Sequence, residues 1–135
     1  MKSKQIAWLF VIVAGLTGCS AHSPRIFKTT TDVEQISTST YPPHTNRVYV
    51  TSVSLPVTVK YEVLGLLDVW YGSSGSVFLS LADAARNLGA DAVVEVSTWY
   101  PPAGRSVWAP YGSAKAVKIK EPASVDFSSL GGEWK

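Results

Sequence analysis

The chain carries one cysteine, Cys19, so no disulfide can form within it. Small exported domains often rely on disulfides. One without them has to be held by its core, by partners or by attachment to something larger. Histidine is nearly as scarce: His22 and His44 are the two, and both precede the β-rich sequence that starts at Arg47. That stretch therefore has no Ser/His or Cys/His pair for nucleophilic catalysis, and its scattered carboxylates do not make a zinc-type ligand set. Long apolar runs are missing too. The longest, Ile6 to Leu16, has eleven residues, against the roughly 20 that a spanning helix needs. Charge is thin, at 16% of residues. Setting aside Lys2 and Lys4 leaves ten basic residues against ten acidic ones. The densest basic run, Lys115, Lys118 and Lys120, reads as the solvated face of a strand, and no nucleic-acid partner is expected.

What is present begins with Lys2 and Lys4 ahead of the apolar run, the pattern of a secretory signal peptide over residues 1–18. The residues that follow, Leu16-Thr17-Gly18-Cys19, resemble the lipobox of bacterial lipoproteins. Small residues there let the backbone enter a peptidase, and the Cys19 thiol can carry a thioether-linked diacylglycerol. The competing reading is an ordinary secretory signal with a chance cysteine. The expectation is a lipid-modified Cys19 as mature N-terminus. Two or more acyl chains, at about 0.8 kcal/mol per buried methylene, hold stably to a membrane. By resemblance to other lipoproteins, Ser20 after the cysteine implies the periplasmic side of the outer membrane in a Gram-negative host.

Residues 19–46 are rich in Ser and Thr, carry Pro42-Pro43 and show no sustained apolar period, so they read as a tether. A short strand around Val33 to Ile36 is the alternative. A domain is expected over 47–120. It starts with a strand through Val48 and Val50, followed by a longer one in the second half of Val57–Trp70, where Gly65 suits a bulge or a close approach. Val77, Leu81, Ala84, Ala85 and Leu88 repeat at three and four residues, with Asp83, Arg86 and Asn87 opposite, which predicts an amphipathic helix ended by Gly89. Asp91–Thr98 and Gly112–Lys120 read as two further strands. Residues 121–135 read as an irregular tail, with Phe127, Leu130 and Trp134 folded back on the domain. The predicted fold is α+β: a small mixed sheet of about four strands with one helix packed on it, in the order β-β-α-β-β.

The strand ending near Gly65, the Ala84-Ala85 pair, Leu88-Gly-Ala-Asp-Ala-Val-Val94 and Gly112-Ser-Ala-Lys-Ala-Val-Lys118 together resemble the YbjQ-like domain family. The resemblance covers about Val48 to Lys120. That family is described as heavy-metal-binding, and its fold is similar to that of the outer-membrane lipoprotein that senses stress for the Rcs phosphorelay. The resemblance implies the same α+β fold and, as in YbjQ-type rings, homo-oligomerisation. The Rcs sensor's disulfides have no counterpart here. The residues themselves give Leu88, Gly89 and Asp91 a structural role: leucine closes the helix stripe, glycine makes the exit, and aspartate accepts backbone amides near the next strand.

No catalytic group, cofactor or metal site is expected. Asp68, Glu62 and Glu95 fall in strands, where solvation or pairing with Lys60 or Lys118 is the ordinary arrangement. The unusual feature is aromatic placement. Trp70 and Tyr71 end one strand, Trp99 and Tyr100 end the next, and Trp108 and Tyr111 border the final hairpin loop. A parallel crossover would bring these ends to one edge, forming a rim for a partner protein, a glycan strand or a lipid interface. The alternative is that some of these rings cap the core. The functional expectation is a membrane-anchored, non-enzymatic interaction or sensing module of the cell envelope. The alternative is a small-ligand or metal-binding module dependent on Asp91 or His44.

Overall fold

In a computed structural model, the structure describes residues 29–70, 74–100 and 110–135. Cys19, the lipobox Leu16, Thr17 and Gly18, His22, Tyr71 and Trp108 lie outside the described residues. Within them the chain forms β1 (Thr30–Gln35), β2 (Tyr49–Val50), β3 (Tyr61–Trp70), α1 (Ser74–Asn87), β4 (Ala92–Trp99), β5 (Tyr111–Ile119) and β6 (Glu133–Trp134). Two 3-10 turns, Pro122–Ser124 and Phe127–Leu130, precede β6.

The fold is α+β, with one helix on a six-stranded mixed sheet of order β1-β3-β5-β4-β2-β6. The four strands read from the sequence are its centre. The correction is at the edges, where β1 and β6 add a strand each. β3 and β4 both run antiparallel to β5, so they are parallel to each other, and α1 connects them across one face of the sheet. β2 pairs parallel with β4 and antiparallel with β6.

Two apolar layers follow from the alternation of side chains along the strands. Under α1, Val77, Leu81, Ala82, Ala84 and Ala85 pack on Val48, Val50, Leu64, Leu67, Val69, Val93, Val96, Ala114 and Ala116. The helix stripe read from the sequence is thus the buried one. On the other face, Tyr49, Leu55, Val59, Ala92, Val94, Val117 and Ile119 are covered by Val125, Phe127 and Leu130 from the tail. The covering reaches only part of the sheet. Around Trp70, Tyr111 and Trp99 the face away from α1 has none of these tail residues over it.

The segment expected to be a tether is part of the domain from Thr30 onward. β1 pairs along its length with β3, from Thr30↔Trp70 to Gln35↔Gly65. Its side chains beyond Thr30 are exposed, Val33 among them, as is Ile36 just after it, so it presents no buried face and no apolar alternation to read. Beyond it the chain wraps the end of α1. The Ser37 and Tyr41 hydroxyls donate to Glu62, Tyr41 at 2.8 Å, and the His44 amide reaches the Arg86 carbonyl at 3.2 Å. Ser37 first, then Tyr41, holds the Glu62 carboxyl below its ordinary range.

The Leu88-Gly89-Ala90-Asp91 turn receives this wrap. Gly89 has φ +74°, and a Cβ on it would lie 2.5 Å from the Tyr41 Cβ and 2.8 Å from the Pro42 carbonyl. Glycine is therefore required twice, for its left-handed backbone and for the close approach. Asp91 accepts from Lys118 at 2.8 Å and from the Ile119 amide at 2.9 Å. Its backbone partner is thus at the end of β5, two strands further along the chain, and not at the start of β4.

Candidate functional site

Tyr111, the first residue of β5, is the register partner of both Trp70 at the end of β3 and Trp99 at the end of β4. Directly opposed residues in antiparallel pairs share a face, so the three rings form one row across the sheet. The Trp70 and Tyr111 ring centroids are 4.4 Å apart with planes at 59°, and those of Trp99 and Tyr111 are 5.4 Å apart at 48°. These are tilted contacts of the kind aromatic pairs favour. The row lies away from α1, because the neighbouring Gly112 and Ala114 sit beneath the helix. Trp70 and Tyr111 are half-buried. Trp99 is 59% exposed and Tyr100, next to it, 51%.

Of the rim residues read from the sequence, the structure brings together Trp70, Trp99 and Tyr111, with Tyr100 at their side. Tyr71 and Trp108 fall outside the described residues. The core-cap reading fits Trp70 and Tyr111, whose rings shelter each other. It does not fit Trp99 and Tyr100, which leave half or more of their surface to solvent.

Below the row, a shallow depression of about 250 Å³ is lined by Leu66, Asp68, Glu95, Ser113 and Lys115. The Tyr111 hydroxyl donates to Asp68. Burial, then the hydrogen bond to Asp68, pushes the Tyr111 hydroxyl up to about 12, so it stays protonated and keeps donating at any physiological pH. Glu95 bonds Lys115 at 2.6 Å and accepts from Ser54 at 3.0 Å. The Lys115 bond, then that of Ser54, holds its carboxyl below the ordinary range. Glu95 has φ +54° in a bulge between Val94 and Ser97. A non-glycine residue there is uncommon, and its side chain ties the 51–54 segment to the sheet.

These pairings differ from those the sequence suggested. Asp68 bonds Tyr111, Glu62 bonds Ser37 and Tyr41, Glu95 bonds Lys115, and Lys118 bonds Asp91. Register and the β4 bulge set the Asp68–Tyr111 and Glu95–Lys115 pairings; Glu62 and Lys118 are register partners, but Ser37, Tyr41 and Asp91, outside the strands, take their bonds. The Lys115–Glu95 pair and the Asp68–Tyr111 bond were the parts of the site missed from sequence. Asp91 is occupied structurally, and His44 Nε2 lies 2.7 Å from the Ala90 carbonyl. Among the described residues no group of three His, Cys, Asp or Glu side chains is placed to hold a metal, and no helix is long and apolar enough to cross a membrane.

No family model and no curated protein matches the chain. A crystal structure of the Francisella virulence factor FvfA, in an orthorhombic form, is similar over 66% of this chain and 97% of that one, at 15% identity and a TM-score of 0.47. Nothing about function is carried over from a likeness of that size.

Proposed function

We propose that the chain is a lipid-anchored, non-enzymatic module of the bacterial envelope whose working surface is the aromatic end of its sheet. The observation that supports this best is the Trp70–Tyr111–Trp99 row on the part of the face that, among the described residues, the tail leaves uncovered, with Trp99 and Tyr100 exposed beside it. Rings with an apolar body and a polar tip, held in place by strand register, form a surface suited to another envelope component. The lipobox-like Leu16–Cys19 supports attachment through Cys19, and Ser20 supports the outer membrane. The YbjQ-like pattern from Leu88 to Val94 supports the fold class and makes a second copy of this chain one candidate occupant.

Hydroxyl-radical footprinting tests the surface. Trp99 and Tyr100 are expected to be less oxidised in intact cells than in the purified chain, while Trp134 is oxidised equally in both. Equal oxidation of Trp99 in the two samples would contradict the proposal. Mass spectrometry of the N-terminal peptide tests the anchor: a diacylated Cys19 is expected, and an unmodified peptide beginning elsewhere would contradict it.

A further inference from the structure

β1 joins the sheet at its aromatic end. Thr30 is the register partner of Trp70, Trp70 of Tyr111, and Tyr111 of Trp99. The point where the chain arrives and the most exposed ring of the row thus belong to one line across four neighbouring strands, about 14 Å wide at the usual strand spacing. Eleven peptide steps separate Cys19 from Thr30. Eleven steps reach at most about 40 Å. The docking of β1 shortens the tether: had the domain begun at Arg47, more than twice as many steps would separate it from the anchor.

The opposite end of the sheet is marked by Trp134, whose ring packs on Tyr49 with centroids 5.2 Å apart. Tyr49 is the register partner of Ala92, seven residues before Trp99 along β4, a separation of about 23 Å at the usual rise. The described chain therefore enters the sheet at the aromatic end, about the full length of a strand from the Tyr49–Trp134 end. Trp and Tyr are the side chains that settle at a bilayer's headgroup level, with the ring among apolar groups and the N–H or O–H among polar ones.

From this we infer that the occupant of the aromatic end is the lipid–water interface of the membrane that holds Cys19, an inference that rests on the lipid anchoring proposed above. Trp99 and Tyr100 enter the headgroup layer. Trp70 and Tyr111 back them, and the strands stand off the membrane with the Tyr49–Trp134 end outermost. The anchor and the rings then act as two linked contacts. Each raises the effective concentration of the other.

The test uses the full chain purified with its lipid, reconstituted into zwitterionic phosphatidylcholine vesicles that contain a dibrominated lipid, which quenches tryptophan at the membrane. Flotation reads the anchor and quenching reads the rim. The chain is expected to float and its emission to be quenched. In W99S the quenched fraction should fall. In W134F it should rise, because an unquenched emitter is removed. Y100S, outside any strand, should lower quenching in the same direction. Flotation with no quenching, or quenching that disappears with Trp134 instead of Trp99, overturns the inference and leaves the rim to a protein, a glycan or a second copy. A chain that does not float overturns the anchoring itself and the inference with it.

Discussion

Trp70 and Tyr111 face each other across β3 and β5 with ring centroids 4.4 Å apart, and the Tyr111 hydroxyl reaches past the ring contact to Asp68 on the same strand as Trp70. One residue is thereby tied to its neighbour strand by an apolar contact and a polar one. That double tie fixes the middle of the row on which Trp99 leans.

Removing only the polar tie is informative. Y111F should keep the ring contacts and lose about 0.5–1.5 kcal/mol of stability, the usual net value of one hydrogen bond, measured by urea denaturation. The loss should depend on pH in a stated direction. The folded hydroxyl titrates at about 12, above the unfolded value near 10. Its contribution is thus fully present below pH 10 and fades as pH rises toward 12. A wild-type advantage over Y111F that grows with pH in that window would contradict a hydroxyl raised by burial and by Asp68.

Gly89 and Gly131 give a matched pair. Both have positive φ, +74° and +64°, but a Cβ on Gly89 meets Tyr41 and Pro42 while one on Gly131 meets nothing within 4 Å. G131A should lose about 1 kcal/mol from its left-handed backbone alone. G89A should lose roughly 2–4 kcal/mol, because the 41–44 wrap must also move. Hydrogen exchange at the His44 amide should quicken in G89A alone.

At Glu95 the backbone and the side chain oppose each other. The residue sits at φ +54°, and its carboxylate bonds Lys115 and Ser54. Both E95A and E95G lose those bonds, but glycine adopts the backbone freely, so E95G should be more stable than E95A by about 1 kcal/mol. Because the folded carboxyl is held low, its contribution is present above the unfolded value of about 4.3 and is lost as pH falls through the folded one. E95Q should therefore differ from wild type at pH 7 and converge with it in acid.

The start of the domain can be tested by truncation. A chain beginning at Arg47 keeps the predicted 47–120 domain but loses β1 and the Tyr41–His44 wrap. β1 supplies a full ladder to β3, and at about 0.5–1.5 kcal/mol per hydrogen bond its loss removes much of the 5–15 kcal/mol that holds a small domain together. No cooperative thermal transition is expected from the truncated chain. A cooperative transition close to that of the full chain would put the boundary back at Arg47.

The reach of the sequence follows from these same residues. α1 was legible because Val77, Leu81, Ala84 and Ala85 repeat at helical spacing and the helix buries that stripe. The meeting of Trp70 and Trp99 was legible because a helix connecting two strands of one sheet runs them parallel, which carries both strand ends to the same edge. β1 was legible only as the alternative strand around Val33 to Ile36, because an exposed edge strand needs no apolar alternation, and Thr30–Gln35 has none. β6 is two residues long and gives no period at all. The pairings of Asp68 and Glu95 were hidden for another reason. They depend on register, and register here turns on bulges at Val63/Gly65 and Val94/Ser97. Gly65 hinted at the first, while nothing local marks Glu95 as a bulge.

The most direct test of the aromatic end as the working surface is in-cell photo-crosslinking from a probe at position 99, with a probe at Lys120, at the far end of β5, as control. Specific adducts from position 99 and none from position 120 are expected, with lipid adducts predominating by mass. Equal, diffuse labelling from both positions, or labelling from position 120 alone, would contradict it and leave Trp99 an exposed ring with no part in the working surface.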